Sequence, residues 1–362
     1  MNIEQLREQL AEIDEKLIEL VRDRLNVASQ IGALKEDDGL PTRDYAQEKI
    51  VFERARAAAT AIGLPESLAN DLLLPIVNAS LSRQEKERVS KTGTGSGKTA
   101  LVIGGGGRMG SWFVRFLDSQ GYVVTILDPT ASHDGFPHID SLNDTKLDQD
   151  IIVVACSLSA ANDVLEDIAR IGATGLVFDI GSLKSPIRDG LRALTDAGIK
   201  ATSLHPMFGP DTELLAGRHL IIIDIGCPEA SAAAEALFEN SMVSRVHLDL
   251  ESHDRAIAYV LGLSHALNIA FIMALEESGE AAPSLRNLSS TTFENQLSVS
   301  HAVVQENPHL YFEIQRENDY GTESLTALLL AVEKLRSVVR SGDKQAFVDI
   351  MEAGCRYTNQ RR

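Results

Sequence analysis

Residues 100–110 read ALVIGGGGRMG, and residues 111–120 continue as SWFVRFLDSQ. A short apolar run, a cluster of glycines and an amphipathic stretch make the pattern of a strand that turns tightly into a helix. The glycines fit GxGxxG as Gly105, Gly107 and Gly110. In that reading Gly105 permits the sharp turn, Gly107 lets backbone approach a pyrophosphate, and Gly110 lets the helix pack closely on the strand, while Arg108 and Met109 complete the cofactor-facing turn. A second β-rich run, Val123 to Leu127, ends at Asp128, 18 residues after Gly110. A carboxylate there accepts from both ribose hydroxyls and repels a 2′-phosphate, so the expected cofactor is NAD rather than NADP.

Further β-rich runs follow at Ile151 to Ala155, Leu176 to Ile180, Ile199 to Leu204 and Leu220 to Ile225, separated by helical segments, which predicts a doubly wound parallel sheet. From about Ser252 the pattern is wholly helical, through His253 to Glu277, Phe293 to Glu306 and Leu325 to Val339, and predicts a separate domain with little core of its own. Toward the N-terminus, Ile3, Leu6, Leu10, Ile13, Leu17, Leu20, Val27, Ile31 and Leu34 recur in three- and four-residue steps, which predicts one long helix with a packed seam, running to about Lys35. The stretch Asp37-Asp38-Gly39-Leu40-Pro41 breaks it, a second helix carries Glu48 and Phe52, and Pro65 opens a third that continues past Ser80. Ser90 to Thr99 (SKTGTGSGKT) reads as a flexible linker. Its likeness to a phosphate-binding P-loop fails, because Thr92 stands where the first glycine is required and the stretch precedes a strand instead of following one. The expected organisation is multidomain: a three-helix all-α domain at 1–89, a linker at 90–99, an α/β Rossmann-type dinucleotide-binding domain at 100–250, and an all-α C-terminal domain at 251–362.

The chain has 362 residues, 44% of them hydrophobic and 24% charged, which excludes a collagen-like or largely disordered protein. With 34 basic and 52 acidic residues its formal charge is -18, so its long-range field repels nucleic acid and anionic membrane, and an anionic small substrate must be met by local cations. Cys156, Cys227 and Cys355 form no CxxC pair, which supports neither a disulfide framework nor a metal site and fits a reducing cytoplasm. The N-terminus is charged and helical, without the apolar run of a signal peptide. The most membrane-like stretch, Ala258 to Leu275, is interrupted by Ser264, His265 and Asn268 and is expected to be a buried helix.

Ligands of open α/β sheets lie outside the carboxyl ends of the strands. Two segments stand there, Asp179-Ile180-Gly181-Ser182-Leu183-Lys184 and His205-Pro206-Met207-Phe208-Gly209-Pro210. His205, held by the proline after it, is suited to take a proton from a substrate hydroxyl while hydride leaves the same carbon for nicotinamide. His265, on the long apolar helix, reads from pattern alone either as a packed core residue or as a ligand contact. On the first helix Arg24 falls on the seam between Leu20 and Val27, where a guanidinium is costly unless an anion pairs with it. Arg7 and Lys35 share one heptad phase beside that seam. Arg7 and Arg24 are separated by about 25 Å at ~1.5 Å per residue, so a small ligand that touches both needs two chains. On the third helix the stripe Leu68, Leu72, Ile76 continues at four-residue spacing into Ser80 and Gln84, polar where apolar is expected. Together these predict a buried, cationic, dimer-built pocket for a small polyanion. The alternative is an internal salt-bridge network of Arg24 with Asp44 and Glu48.

The three N-terminal helices resemble the all-helical chorismate mutases across Arg7, Arg24, Lys35, Asp44, Glu48, Ser80 and Gln84, with Gln47 standing where some members carry arginine. Residues 100–362 resemble the prephenate dehydrogenases through GGGGRMG, DIGSLKSPI, the LHPMFGPD run around His205, and HDRAIAYVLGLSH, which ends in His265. In this order in one chain, the motifs resemble those of the bifunctional chorismate mutase/prephenate dehydrogenases. The resemblance implies two steps of tyrosine biosynthesis: chorismate rearranges to prephenate, which NAD then oxidises with loss of carbon dioxide to 4-hydroxyphenylpyruvate. It implies that Arg24, Lys35 and Gln84 are catalytic in the first step, with Arg7, Asp44, Glu48 and Ser80 binding substrate. It implies that His205 is catalytic in the second, with Ser182 and His265 lining the substrate side. It also implies a homodimer built through the C-terminal helices. The family pattern is broken at one position: a carboxylate-binding arginine is expected shortly before the Asn-Pro of ENPHLY, and Ala302 occupies its place, with Glu294 nearby. Either Arg286, Arg316 or His301 supplies the cation, or the substrate is arogenate or 4-amino-4-deoxyprephenate. Two further alternatives are an N-terminal domain that only dimerises or binds an effector, and a C-terminal part that is an unrelated β-hydroxyacid-type dehydrogenase.

Overall fold

The computed structural model describes residues 2–131, 134–280 and 282–360. The chain divides into two compact units, one of Met1–Cys156, Asp163–Ile180 and Gly190–Leu248, the other of Ser157–Asn162, Gly181–Asp189 and Asp249–Arg362.

The first unit begins with three helices, α1 (Ile3–Asp37), α2 (Tyr45–Ala61) and α3 (Glu66–Lys91). Asn2 and Gln5 form a reciprocal capping box at the start of α1, and Asp44 caps α2 by accepting from the Gln47 amide at 3.0 Å. Gly39, at φ +68°, turns the chain after α1. One expectation fails within this chain. No residue of α1 is buried, and Leu10, Leu17 and Leu20 of the seam are 59%, 54% and 64% exposed. The stripe faces outward because α3, the helix packed along α1, covers only part of its surface.

An eight-stranded sheet follows, formed by β1 (Thr99–Ile103), β2 (Val123–Leu127), β3 (His138–Ile139), β4 (Ile151–Val154), β5 (Leu176–Asp179), β6 (Ala201–Pro206), β7 (His219–Ile223) and β8 (Ser244–Leu248). Their order is β3-β2-β1-β4-β5-β6-β7-β8. The helices α4 (Arg108–Ser119), α5 (Leu158–Ile171), α6 (Arg188–Asp196) and α7 (Pro228–Ala236) alternate with the strands. The expected doubly wound sheet is present, with one difference: β6 and β7 pair antiparallel. A parallel pair needs a crossover, usually helical, whereas the chain between Pro206 and His219 is a loop, whose Met207 amide donates to His219 O at 2.9 Å. The core lies between sheet and helices around Phe113, Phe178, Phe238 and Leu117, all fully buried. The glycine-rich linker is docked: a Cβ on Gly95 would lie 2.3 Å from the Tyr122 ring, and the Gly95 amide donates to Gln120 O at 3.0 Å.

The second unit is helical, with α8 (Leu250–Ile257), a π-turn at Ala258–Leu263, α9 (Ser264–Glu277), α10 (Ala282–Asn287), α11 (Thr291–Val304), α12 (Pro308–Arg316), α13 (Gly321–Ser341) and α14 (Lys344–Thr358). Its apolar core is small, with Ile257, Ala258 and Ile314 among its few buried apolar side chains. The run Leu250–Glu277 is long and apolar enough to cross a membrane by length and composition, yet only 22% of its most apolar window is buried, so the expected buried helix is largely exposed in the single chain. Tyr259, Val260, Leu267 and Met273 form its uncovered apolar face. Its polar residue Asn268 is internal, accepting at Oδ1 from Gln296 Nε2 at 2.9 Å and from Ser300 Oγ at 2.7 Å.

Candidate active sites

Polar groups of α1, α3 and the α1–α2 connection line the interior between α1 and α3. Arg24 Nη1 donates to Ser80 Oγ at 3.0 Å, Lys35 Nζ donates to Thr42 O at 3.2 Å, and Gln84 Nε2 donates to Ala28 O. Ser80 and Gln84 are buried. A Cβ on Gly32 would lie 2.7 Å from Gln84 Cγ, so only glycine at this point of α1 admits the Gln84 side chain. The internal salt-bridge alternative is not what forms: Arg43 takes Glu48 through two hydrogen bonds of 2.8 and 3.0 Å, and Asp44 is committed to capping α2. A cavity of about 110 Å³ lies beside Gly32, Lys35, Thr42, Gln84 and Arg88. Arg7 is far along α1, exposed and 3.5 Å from Glu4, so it does not join this cluster within one chain.

At the glycine turn the left-handed residue is Gly104, at φ +79°, and not Gly105. The turn comes directly after Ile103, one residue earlier than the motif suggests, and a Cβ on Gly104 would lie 2.7 Å from the Ala155 carbonyl. Gly105 is needed for a different reason, since its Cβ would meet Ile126 at 2.9 Å, and a Cβ on Gly110 would sit 2.1 Å from Gly104 O. Gly107 is the N-cap of α4 and provides no side-chain cap, so the positive end of the α4 dipole lies at the glycine turn, where an anion is favoured. Met109 packs against the core, and Arg108 Nη2 donates to Asp211 Oδ2 at 2.8 Å. Asp128 is buried beside the turn. Its Oδ2 accepts from the Gly106 amide at 3.1 Å and its Oδ1 from the Thr130 amide, Thr130 Oγ1 and the Ala131 amide at 3.0, 2.9 and 3.1 Å. Burial opposes its charge, but these hydrogen bonds outweigh burial and hold the carboxyl below its usual value, so it is an acceptor at neutral pH. The arrangement fits a dinucleotide: a glycine turn at a helix N-terminus for the pyrophosphate and an ionised carboxylate for the ribose. The Cys156 thiol nearby is pushed up to about 11, chiefly by burial, which makes it a poor nucleophile.

His205 lies in β6, buried, in register with Ile221 of β7 and followed by Pro206. In the second unit the His265 ring stacks on Tyr311, with centroids 4.2 Å apart and planes at 17°. Burial lowers its pKa, so it is neutral at pH 7, and its buried Nδ1 makes no hydrogen bond among the described residues. The π-turn leads directly into α9, whose second residue is His265, and Gly262 O within it accepts from Gln315 Nε2 at 2.9 Å.

Three family models match the chain: chorismate mutase type II over residues 6–85, the nucleotide-binding domain of prephenate dehydrogenase over 135–243, and the prephenate dehydrogenase dimerization domain over 249–353. The chain belongs to the prephenate dehydrogenases fused to a type II chorismate mutase. The T-protein of Enterobacter agglomerans is 25% identical over 346 residues, 95% of this chain and 89% of that protein. The 4-amino-4-deoxyprephenate dehydrogenase of Streptomyces pristinaespiralis is 26% identical over 68% of this chain and 86% of its own length. The crystal structure of prephenate dehydrogenase from A. aeolicus with hydroxyphenyl propionate and NAD+ shares the fold, with a TM-score of 0.57 at 16% identity over 72% of this chain and 97% of that one. The protein is therefore a bifunctional enzyme of tyrosine biosynthesis, a chorismate mutase and an NAD-dependent prephenate dehydrogenase.

Several residues of this chorismate mutase/prephenate dehydrogenase lie outside the sequence expectations. In the mutase half Arg88 Nη1 donates to Thr42 Oγ1 at 3.1 Å beside Lys35, although its surroundings, EKERVSK, read as a solvated helix face. In the dehydrogenase half the loop that carries Ser182 is tied down by Asp254, whose carboxylate accepts from the Lys184 amide at 3.0 Å and from the Ser185 amide and hydroxyl. His253 Nδ1 lies 2.7 Å from Asp254 Oδ1, and both side chains are fully buried. Burial opposes the Asp254 charge, and the hydrogen bonds from His253, Ser185 and Lys184 outweigh it and keep the carboxyl below its usual value. Lys184 is itself fully buried and donates from Nζ to Gly181 O at 2.7 Å. The two motifs DIGSLKSPI and HDRAIAYVLGLSH thus meet through one carboxylate, a link that the distance of 70 residues between Lys184 and Asp254 conceals in the sequence.

Proposed function

We propose that the mutase half holds chorismate in a pocket completed by a second copy of the chain, and that the dehydrogenase half oxidises the resulting prephenate. The observation that carries this reading is the convergence of Arg24, Lys35, Ser80 and Gln84 inside a three-helix unit whose α1 seam is left open. The cavity beside Lys35 and Gln84, about 110 Å³, is well under the ~300–1,000 Å³ of ordinary ligand pockets, which supports a missing wall. Arg24, with Arg7 from a second copy, holds the two carboxylates in a compact conformation, while Asp44, Glu48 and Ser80 complete the binding set. Lys35 and Gln84 hydrogen-bond the ether oxygen as its C–O bond breaks, and no covalent catalysis is needed. A module that only dimerised would not need two buried polar side chains along the α3 stripe.

In the second step bound NAD supplies the hydride acceptor. Gly105, Gly107, Arg108, Met109 and Gly110 frame its pyrophosphate, and Asp128 accepts from its ribose. His205 takes the proton of the ring hydroxyl, and loss of carbon dioxide leaves an aromatic ring, which draws the step forward. Ser182 and the neutral His265 contact the substrate. The functional assembly is a homodimer acting in the cytoplasm, with domains at 1–89, 100–250 and 251–362 around a linker at 90–99.

A second reading, an amino-substituted substrate, is favoured by Ala302, which is exposed on α11, and by Arg316, which pairs with Glu317 at 3.7 Å. Parallel oxidation assays with prephenate, arogenate and 4-amino-4-deoxyprephenate decide between them. Prephenate is expected to be oxidised with the highest kcat/KM, and Ala302→Arg to lower its KM by roughly tenfold, the worth of one charged hydrogen bond. Preference for an amino substrate, weakened by Ala302→Arg, would overturn the assignment.

A further inference from the structure

Gln84 faces the mutase pocket, and the next residue, Glu85, faces the dehydrogenase. Glu85 is 3% exposed and gives one carboxylate oxygen to each of two backbone amides of the dehydrogenase half: Oε2 accepts from Leu215 N at 2.8 Å, and Oε1 accepts from Met242 N. Leu215 closes the loop that leaves the His205 strand at Pro206. A second α3 residue reaches the same loop, Ser82 Oγ donating to Glu213 O at 3.1 Å. From the opposite side the loop is held by α4, the helix that starts at the glycine turn: Trp112 Nε1 donates to Thr212 O at 3.0 Å, and Arg108 Nη2 to Asp211 Oδ2 at 2.8 Å.

The loop is therefore strapped between a mutase helix and the nucleotide-binding helix. Packing holds the two ends of the loop, Phe208 against the Trp112 ring at 5.0 Å between centroids and Leu215 in the core, while a cavity of about 890 Å³ opens along the same junction between Val89, Trp112, Phe116 and Leu215. Beside the cavity, the backbone of Thr212, Glu213 and Leu215 is held by the hydrogen bonds. Burial pushes the Glu85 carboxyl above its usual value despite the two amides and nearby Lys86, so the group is held at a cost in charge solvation that a space-filling side chain would avoid.

We propose that Glu85 is a positioning residue of the dehydrogenase, through which mutase helix α3 fixes the loop Met207–Leu215 and, by way of Arg108 and Trp112, the nucleotide-binding end of α4. The proposal rests on the assignment of the glycine turn to NAD. Glutamine at position 85 can accept from one amide only and presents its own NH2 to the other, so Glu85→Gln cuts one strap with little change in volume. The expected result is a rise in KM for NAD of about three- to tenfold, the loss of one net hydrogen bond, with kcat for prephenate oxidation and the mutase kcat/KM within about twofold of the unmodified enzyme. Trp112→Phe, which removes the opposite strap and keeps a ring, should raise the same KM, and the double variant should show less than the product of the two effects, because both act on one loop. An unchanged KM for NAD in either single variant, equal losses of both activities, or fully multiplicative effects in the double variant would overturn the proposal. If the unmodified enzyme fails to oxidise prephenate with NAD, the assignment of the turn fails instead.

Discussion

Replacing His205 by asparagine is expected to lower dehydrogenase turnover by roughly two to four powers of ten, about 3–5 kcal/mol in the barrier, while KM for prephenate changes little. Asparagine keeps a polar side chain of similar reach and removes only the ability to hold a proton. The effect should appear in kcat because the hydroxyl proton is transferred in the transition state and not on binding. His205 sits within β6, buried and locked in register with Ile221, so the substitution does not release a loop. Mutase activity in the same preparation serves as the control for folding. A loss of less than about tenfold would show that another group takes the proton.

Arg24→Ala should remove most mutase activity, at least the ~10²–10³-fold lost when one preorganised donor to a developing anion is deleted, and leave oxidation of supplied prephenate nearly unchanged. The substitution also strips Ser80 of the donor it accepts from at 3.0 Å. The dehydrogenase is insulated because its ties to α3 run through Ser82 and Glu85, which face away from Arg24. If the pocket takes Arg7 from a second copy, mixing Arg24→Ala chains with Arg7→Ala chains must restore part of the activity, since one of the two hybrid pockets regains both cations. Absence of recovery after demonstrated subunit exchange would count against a shared site.

The sheet was legible because each element carried its own local signal: β-rich runs, a glycine turn, and Asp128 at the end of the second strand. The antiparallel β7 was not, since strand direction depends on whether the connection crosses over, and the 207–218 loop differs from a crossover only by lacking an amphipathic helix. Gly104 has no signature of its own, because GxGxxG fits only Gly105, Gly107 and Gly110, and only the backbone shows that the glycine before the motif takes positive φ. The mutase cluster was legible as polar residues on an apolar stripe, whereas Arg43 and Arg88 lie in charge-rich segments where a half-buried cation looks like a solvated one. Asp254 and Glu85 carry no local signature at all. Each holds amides far away in sequence, and a carboxylate that caps a distant loop resembles any surface acid until the loop is in place. The α1 seam is the opposite case: the heptad pattern is plain, yet the described residues of the single chain leave the stripe exposed.

The most direct measurement is to supply chorismate and NAD alone to the purified enzyme and follow NADH together with the aromatic product. NADH is expected in equal amount to 4-hydroxyphenylpyruvate, with both formed at least ~10²-fold more slowly when Arg24 is replaced by alanine. Chorismate left unconverted by the unmodified enzyme, or prephenate that accumulates without NADH, would contradict the two-step assignment.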